Sequence, residues 1–173
     1  MFILRWMKKC YWALYKKRHG FEGYLRKRGV NIGSDPHIYS DITTTESYLI
    51  TIGDNVTISN GVQLITHDNS VCKIMENASD VFGKITIGNN CFIGAKATIM
   101  YGVTLADSTI VAAGSVVTRS VKEEGKIIGG NPAKVIGDVK TFAEKMAPYA
   151  VNLDGLSKDE RRKATQNAKY VER

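Results

Sequence analysis

Residues 87–122 read "IGNNCF IGAKAT IMYGVT LADSTI VAAGSV VTRSVK" when cut into sixes. The first letter of each block is aliphatic: Ile87, Ile93, Ile99, Leu105, Val111 and Val117. The fifth is small or β-branched, from Cys91 and Ala97 to Ser115 and Val121, and the second favours glycine and alanine, as at Gly88, Gly94, Ala106 and Ala112. The same frame runs upstream through "IGDNVT ISNGVQ LITHDN" (52–69). It adds Ile52, Ile58 and Leu64 to the first column and Val56 and Val62 to the fifth, which only Asp68 breaks. Helices repeat apolar residues every three and four positions, and strands every two. A period of six is a short strand followed by a turn, and such repeats build parallel β-helices in which each rung buries its column residues against the next.

The beat stops after Leu64 and resumes at Ile87, with His67 at the fourth position of its block, where a turn is expected. A poorer turn precedes the regular ones: Ile32 and Ile38 are six apart, and Thr43 to Leu49 forms an irregular corner before Ile52. The coil is therefore expected over 31–137. Residues 1–30 form a basic amphipathic helical segment, with Ile3, Leu4, Met7, Tyr11, Leu14 and Tyr15 on one face. Residues 138–173 form a C-terminal tail, a short helix in "DVKTFAEKMAPY" followed by a solvated, charged stretch.

The chain's 173 residues suit one domain with terminal elements. Its three cysteines, Cys10, Cys72 and Cys91, are odd in number and widely spaced, which argues against a disulfide framework or structural zinc and for a reducing compartment. The net charge of +7 is uneven: residues 1–28 hold nine bases and one acid, and the remainder 15 bases and 16 acids. One basic terminal cluster, without aromatics interleaved across a fold, argues against a nucleic-acid binder. The opening "MFIL" is interrupted by Arg5, too early for a secretory signal or a membrane span. A cytoplasmic chain is expected, peripheral at the inner face of the membrane if residues 1–20 lie in the lipid interface. The same segment could instead cap the open first rung of the coil.

The hexapeptide columns, the loop-borne His67 and the closing "GGNPAKVIG" (129–137) resemble the hexapeptide-repeat acyltransferases, near the galactoside, maltose and xenobiotic acetyltransferases and the O-acetyltransferases of bacterial surface polysaccharides. The resemblance covers about residues 31–137. It implies an all-β core, a left-handed parallel β-helix with three hexapeptides per turn, flanked by an N-terminal helix, an extruded loop and a C-terminal helix and tail. It also implies acetyl-CoA as donor and a homotrimer with active sites shared between chains. On that frame Ile52 to Ile87 spans 35 residues where one turn needs 18, so 17 are surplus. They form a loop over 67–84, the kind of scaffold-borne segment on which functional groups gather.

Transfer of an acyl group from a thioester to a hydroxyl needs a base near neutrality, and imidazole is suited to it. His67 matches the family's catalytic histidine. Asp68, or a backbone carbonyl, is the expected partner of its ring, and the oxyanion donor is expected among the backbone N–H groups near Gly94 and Ala95. The family's positions for the pantetheine arm and phosphates fall here on Ala95, Ala113, Thr118, Arg119 and Lys134. Phe92, where relatives often carry tryptophan, falls beside the acceptor with Asp68. Read without the family, Ala95 and Ala113 are simple repeat geometry, and Arg119 and Lys134 are solvated surface charges.

The expected function is acetyl-CoA-dependent O-acylation of a sugar or surface-polysaccharide precursor. The alternatives are N-acetylation of an amino sugar or other small acceptor, and a non-catalytic scaffold. No metal is expected: a carbonic anhydrase on this coil needs three histidines around zinc, whereas His19 lies outside the coil and His37 is 30 residues from His67.

Overall fold

A computed structural model describes residues 2–172; the side chains of residues 2–5, 8 and 9, among them Ile3 and Leu4 of the expected stripe, lie outside the described residues. Three helices flank the coil: α1 (Phe2–Lys27), α2 (Val139–Met146) and α3 (Lys158–Gln166).

The coil is a three-walled prism of short parallel strands. The first wall stacks Asn31–Ile32, Ile50–Ile52, Ile85–Ile87 and Thr104–Leu105. The second stacks His37–Ile38, Thr57–Ile58, Phe92–Ile93, Ile110–Val111 and Lys126–Gly130, and Ala133–Asp138 folds back antiparallel after Asn131–Pro132 to close it. The third stacks Gln63–Leu64, Thr98–Ile99 and Val116–Val117. All nine first-column aliphatics lie in the core, with Ile58, Ile93, Ile99 and Val111 fully inaccessible, and the fifth-column residues Val56, Cys91, Ala97 and Val103 fill the corners. Burial of each such aliphatic stabilises the stack by about 1.5–3 kcal/mol.

The fourth position of the repeat explains how a strand becomes a corner. Asp35, Asn55, Gly61, Asn90, Lys96, Gly102, Ser108 and Gly114 all occupy the left-handed region, with φ between 49° and 78°. Short polar side chains and glycine tolerate it best. His67 holds the same place in its block and does not turn. It lies with Asp68 in an extended pair, antiparallel to Val81–Phe82, so the chain leaves the prism there as a hairpin. It rejoins where the Gly83 N–H donates to the Thr66 carbonyl at 3.0 Å. A Cβ on Gly83 would stand 2.4 Å from the Gly102 nitrogen, so the re-entry point requires glycine.

The first turn is longer than the regular ones: Ile32 pairs with Ile52 and Ile38 with Ile58, 20 residues on, against 18 from Ile87 to Leu105. The excess sits in the corner before the 3-10 turn Ser47–Leu49.

The N-terminal segment is two helices, broken at Gly20 (φ 73°). After the break Leu25 is fully buried, and Phe21 and Tyr24 pack on the core, covering the open first rung. Before it, Trp6, Met7, Tyr11 and Leu14 are exposed. The cap is thus made by Phe21 to Leu25, not by the stripe.

Candidate active site

The corner after each third-wall strand stacks Thr66 and His67 below Tyr101 and Gly102, with Arg119 and Ser120 above and Thr118 one position earlier, over Met100, because Leu64, Ile99 and Val117 are in register. His67 is held from the turn below, on the same corner. Its Nδ1 lies 2.8 Å from Oε2 of Glu46, in the irregular first-turn corner. A carboxylate only accepts, so Nδ1 donates and Nε2 is left with the lone pair. Nothing in the sequence singled out Glu46.

A cradle of hydroxyls holds that carboxylate. Thr44 Oγ1 donates to Oε2 at 3.0 Å and Thr66 Oγ1 at 3.1 Å, while the Thr45 hydroxyl donates to Oε1. The Thr44 and Thr66 hydroxyls also touch each other, and Thr66 is wholly buried. The Thr45 hydroxyl, followed by those of Thr44 and Thr66 and by His67, lowers the Glu46 pKa from 4.5 to about 2 against the opposing effect of burial. Glu46 is therefore anionic at neutral pH. The corner itself is pinned by the cap: the Arg28 guanidinium donates to the Ile42 and Thr44 carbonyls, each at 2.6 Å, and Ser47 Oγ donates to the Arg28 carbonyl at 2.8 Å.

The His67 side chain is 39% exposed, against 15% for Glu46, so the imidazole reaches solvent while its partner stays inside. It opens on a cleft of about 230 Å³ with Thr43, Thr44, Leu64, Ile65 and Thr66. A second cleft of about 320 Å³ shares Thr43, Leu64 and Ile65 and adds Asp41, Asn60 and Gln63.

Asp68 does not orient the ring. Its Oδ1 accepts the Ser70 N–H at 2.8 Å and its Oδ2 accepts the Tyr101 hydroxyl at 3.4 Å; the Ser70 amide is the main cause of its lowered pKa. Neighbouring side chains of an extended pair point to opposite sides, so Asp68 starts the loop's first turn while His67 faces Glu46. The proposed oxyanion donors also divide. The Gly94 N–H donates to the Val111 carbonyl at 2.8 Å and belongs to the ladder.

The remaining candidates do not meet His67 within the chain. Ala95 and Ala113 stack above Asn60 on the corner between second and third walls, linked by Lys96 N–H to Asn60 O (3.0 Å) and Gly114 N–H to Ala95 O (2.9 Å). Lys134 pairs with Gly129 in the closing hairpin above them and is exposed. Thr118 and Arg119 are exposed on the His67 corner, two rungs higher. Phe92 stands on the second wall in an apolar groove of about 730 Å³ with Ile110, Ala112, Ala113, Ile136 and Phe142, a different cleft from that of His67. His37 and His19 are exposed, and His19 stacks on Tyr15.

The hexapeptide-repeat model described for succinyl-transferase matches residues 50–65 and 84–119. Protein CapG of Staphylococcus aureus is 40% identical over 161 residues, 90% of this chain and 92% of its own. The chain belongs to the hexapeptide-repeat acetyltransferases. The family match skips 66–83, the segment by which the coil is interrupted. Galactoside O-acetyltransferase of Escherichia coli K12 is 32% identical over 111 residues, 64% of this chain and 54% of the relative. Among solved structures, a hexapeptide-repeat acetyltransferase of Vibrio cholerae O1 biovar eltor, complexed with acetyl-CoA, superposes with a TM-score of 0.57 at 29% identity. The match covers 64% of this chain and 61% of that one. The family's left-handed β-helix is the prism described above, and its members are enzymes.

Proposed function

We propose that this chain moves the acetyl group of acetyl-CoA onto a hydroxyl of a sugar or surface-glycan precursor, with His67 as general base. The observation that carries the reading is the 2.8 Å pairing of His67 Nδ1 with a carboxylate that stays ionised, which directs the Nε2 lone pair outward. The acceptor oxygen gives its proton to Nε2 as it bonds to the thioester carbonyl carbon. Glu46 stabilises the imidazolium that forms. The carbonyl electrons collect on oxygen, and the Ala95 N–H is the proposed donor to it. Collapse breaks the C–S bond, and Nε2 returns the proton to the departing thiolate. The acetyl-CoA complex of the Vibrio cholerae relative supports the donor, and the Escherichia coli relative's name supports a sugar acceptor. Asp41, Asn60 and Gln63, in the cleft that adjoins that of His67 along the third wall, offer the polar groups that sugar hydroxyls pair with.

The reacting carbon must come within about 3–3.5 Å of the attacking oxygen. His67 and the small-residue corner of Ala95 and Ala113 occupy different edges of one prism, so the groove that serves His67 comes from a second copy. A three-fold trimer supplies three such sites. It also covers Ile74, Met75 and Phe82, which project exposed from the loop. Arg119 and Lys134 are then available to the phosphates of the donor, and Phe92 to the acceptor across the interface. A cytoplasmic location fits an acetyl-CoA donor and free cysteines.

The test is acetyl transfer from acetyl-CoA to a panel of sugars, nucleotide sugars and amino sugars, read by mass. An acetyl ester of a sugar is expected; acetylation of amines alone replaces the O-transfer reading, and transfer to none rejects both. For the shared site, exchanged mixtures of His67→Ala with Ala113→Trp subunits should regain activity that neither has alone. A monomer by light scattering, or silent mixtures, ends that part.

A further inference from the structure

The geometry points to residues 2–19 as an interfacial anchor that lays the first-rung end of the coil on an anionic lipid surface; we propose this independently of the acetyl-transfer reading. Among the described residues, the helix before Gly20 touches the rest of the molecule by one side. The Trp12 ring packs edge-on against Tyr24 at 5.4 Å, and the Lys16 ammonium sits 4.0 Å over the Phe21 ring. At 100° per residue, Met7 and Leu14 lie nearly opposite that side, with Tyr11 and Trp6 flanking them on either border. Those four are 59%, 67%, 51% and 64% exposed respectively. The stripe is thus turned away from the core that amphipathic helices normally use it to cover.

Its charge names the occupant. Residues 2–19 carry six bases (Arg5, Lys8, Lys9, Lys16, Lys17, Arg18) and no acid, while the chain beyond residue 28 is slightly acidic. A second copy docking through the same segment therefore brings the same basic charge to the stripe, and its body is close to neutral, whereas an anionic bilayer brings the opposite charge. Tyr, Leu and Met on one face, with Trp6 at its border and a basic composition, match the amphiphile that settles at the headgroup boundary. No described helix is long and apolar enough to cross a membrane, so the contact is peripheral. The anchor joins the coil through the cap that also pins the Glu46 corner, so the cleft lined by Asp41 and Thr43 opens at the same end of the prism.

Both tryptophans of the protein, Trp6 and Trp12, lie in this helix, so tryptophan emission reports on it alone. The full chain is mixed with phosphatidylcholine vesicles containing 30% phosphatidylserine, and with phosphatidylcholine alone. Binding to the anionic vesicles with a blue-shifted emission is expected, weakening tenfold or more as salt rises from about 0.1 to 0.5 M. The exposed-face variant Trp6→Ser/Leu14→Ser should lose roughly tenfold or more in partitioning while keeping the wild-type melting midpoint and oligomeric state. No sedimentation with anionic vesicles at low salt overturns the proposal. So does undiminished binding by the variant, which assigns the contact to charge elsewhere. A change in oligomeric state of the variant overturns it too, because it gives the stripe to a second copy.

Discussion

The rungs from Ile85 to Val117 and the end of the coil that carries His67 are made from the same six-residue unit, yet they differ in what the fourth position does. In the upper rungs it turns: Asn90, Lys96, Gly102, Ser108 and Gly114 all have positive φ, and the chain closes each corner in the least length. At the lower end it fails to turn once, at His67, and the turn before it carries two extra residues. Each failure delivers one half of a pair, the imidazole from the extruded hairpin and the Glu46 carboxylate from the swollen corner. A perfect solenoid has only outward column positions, which present single side chains to solvent. Two defects in adjacent rungs let two side chains reach toward each other over a buried threonine floor.

If the lower end carries the chemistry and the upper rungs only the scaffold, His67→Ala should lower kcat by roughly 10²- to 10⁴-fold. Acetyl-CoA binding, followed as a thermal shift, should stay close to wild type. A variant with near-normal turnover would remove the distinction between the two regions. The matching change in the scaffold is Ile93→Ala. Ile93 is fully buried between Ile58 and Val111 in the second wall. Its truncation should cost about 2–5 kcal/mol in urea unfolding, with kcat per folded molecule unchanged. A large loss of kcat at full folding would show that the rungs do more than carry.

Glu46→Gln comes next. A glutamine can turn its amide N–H₂ toward Nδ1, which then accepts, and the proton moves to Nε2, where it blocks the base. A fall in kcat of roughly 10- to 100-fold is expected, with KM for acetyl-CoA little changed. Equal effects on kcat and on acetyl-CoA binding would mean that the corner only supports the groove.

The two regions also differ in how far they could be read from the chain. The upper rungs were legible because each column recurs in a fixed frame: one aliphatic residue inside and one tight corner, repeated until chance is excluded. His67 was legible as the place where that frame takes in 17 surplus residues. Glu46 was not, because no frame connects position 46 to position 67. The corner that holds it is neither strand nor regular turn, and Arg28 and Ser47 shape it from another element. The faint signal was chemical: three threonines run directly into a glutamate in a turn two residues too long. The N-terminal stripe was legible as amphipathic, but its direction was not, because Gly20 divides cap from arm inside what periodicity alone reads as one helix.

The smallest effect tests whether the threonine cradle is what holds Glu46. Its pKa is lowered in the fold from 4.5 to about 2, chiefly by the Thr45 hydroxyl. The unfolded chain therefore takes up a proton at a pH where the folded one still refuses it. Below the unfolded value, stability must fall with every step down in pH until the folded carboxylate is protonated too. The contribution of Glu46 is complete above about pH 4.5 and lost progressively toward pH 2. Glutamine at the same position has no proton to bind, so the stability difference between wild type and Glu46→Gln should shrink between pH 6 and pH 3. A change on the order of 1 kcal/mol is expected after allowance for solvent screening. Asp54, Asp68 and Asp138, also held low by backbone N–H groups, are common to both proteins and cancel in the difference. Urea unfolding across that range reads it directly. A difference that stays flat would mean that the hydroxyls around Glu46 do not favour its charged form, and the ionised partner assigned to His67 would lose its basis.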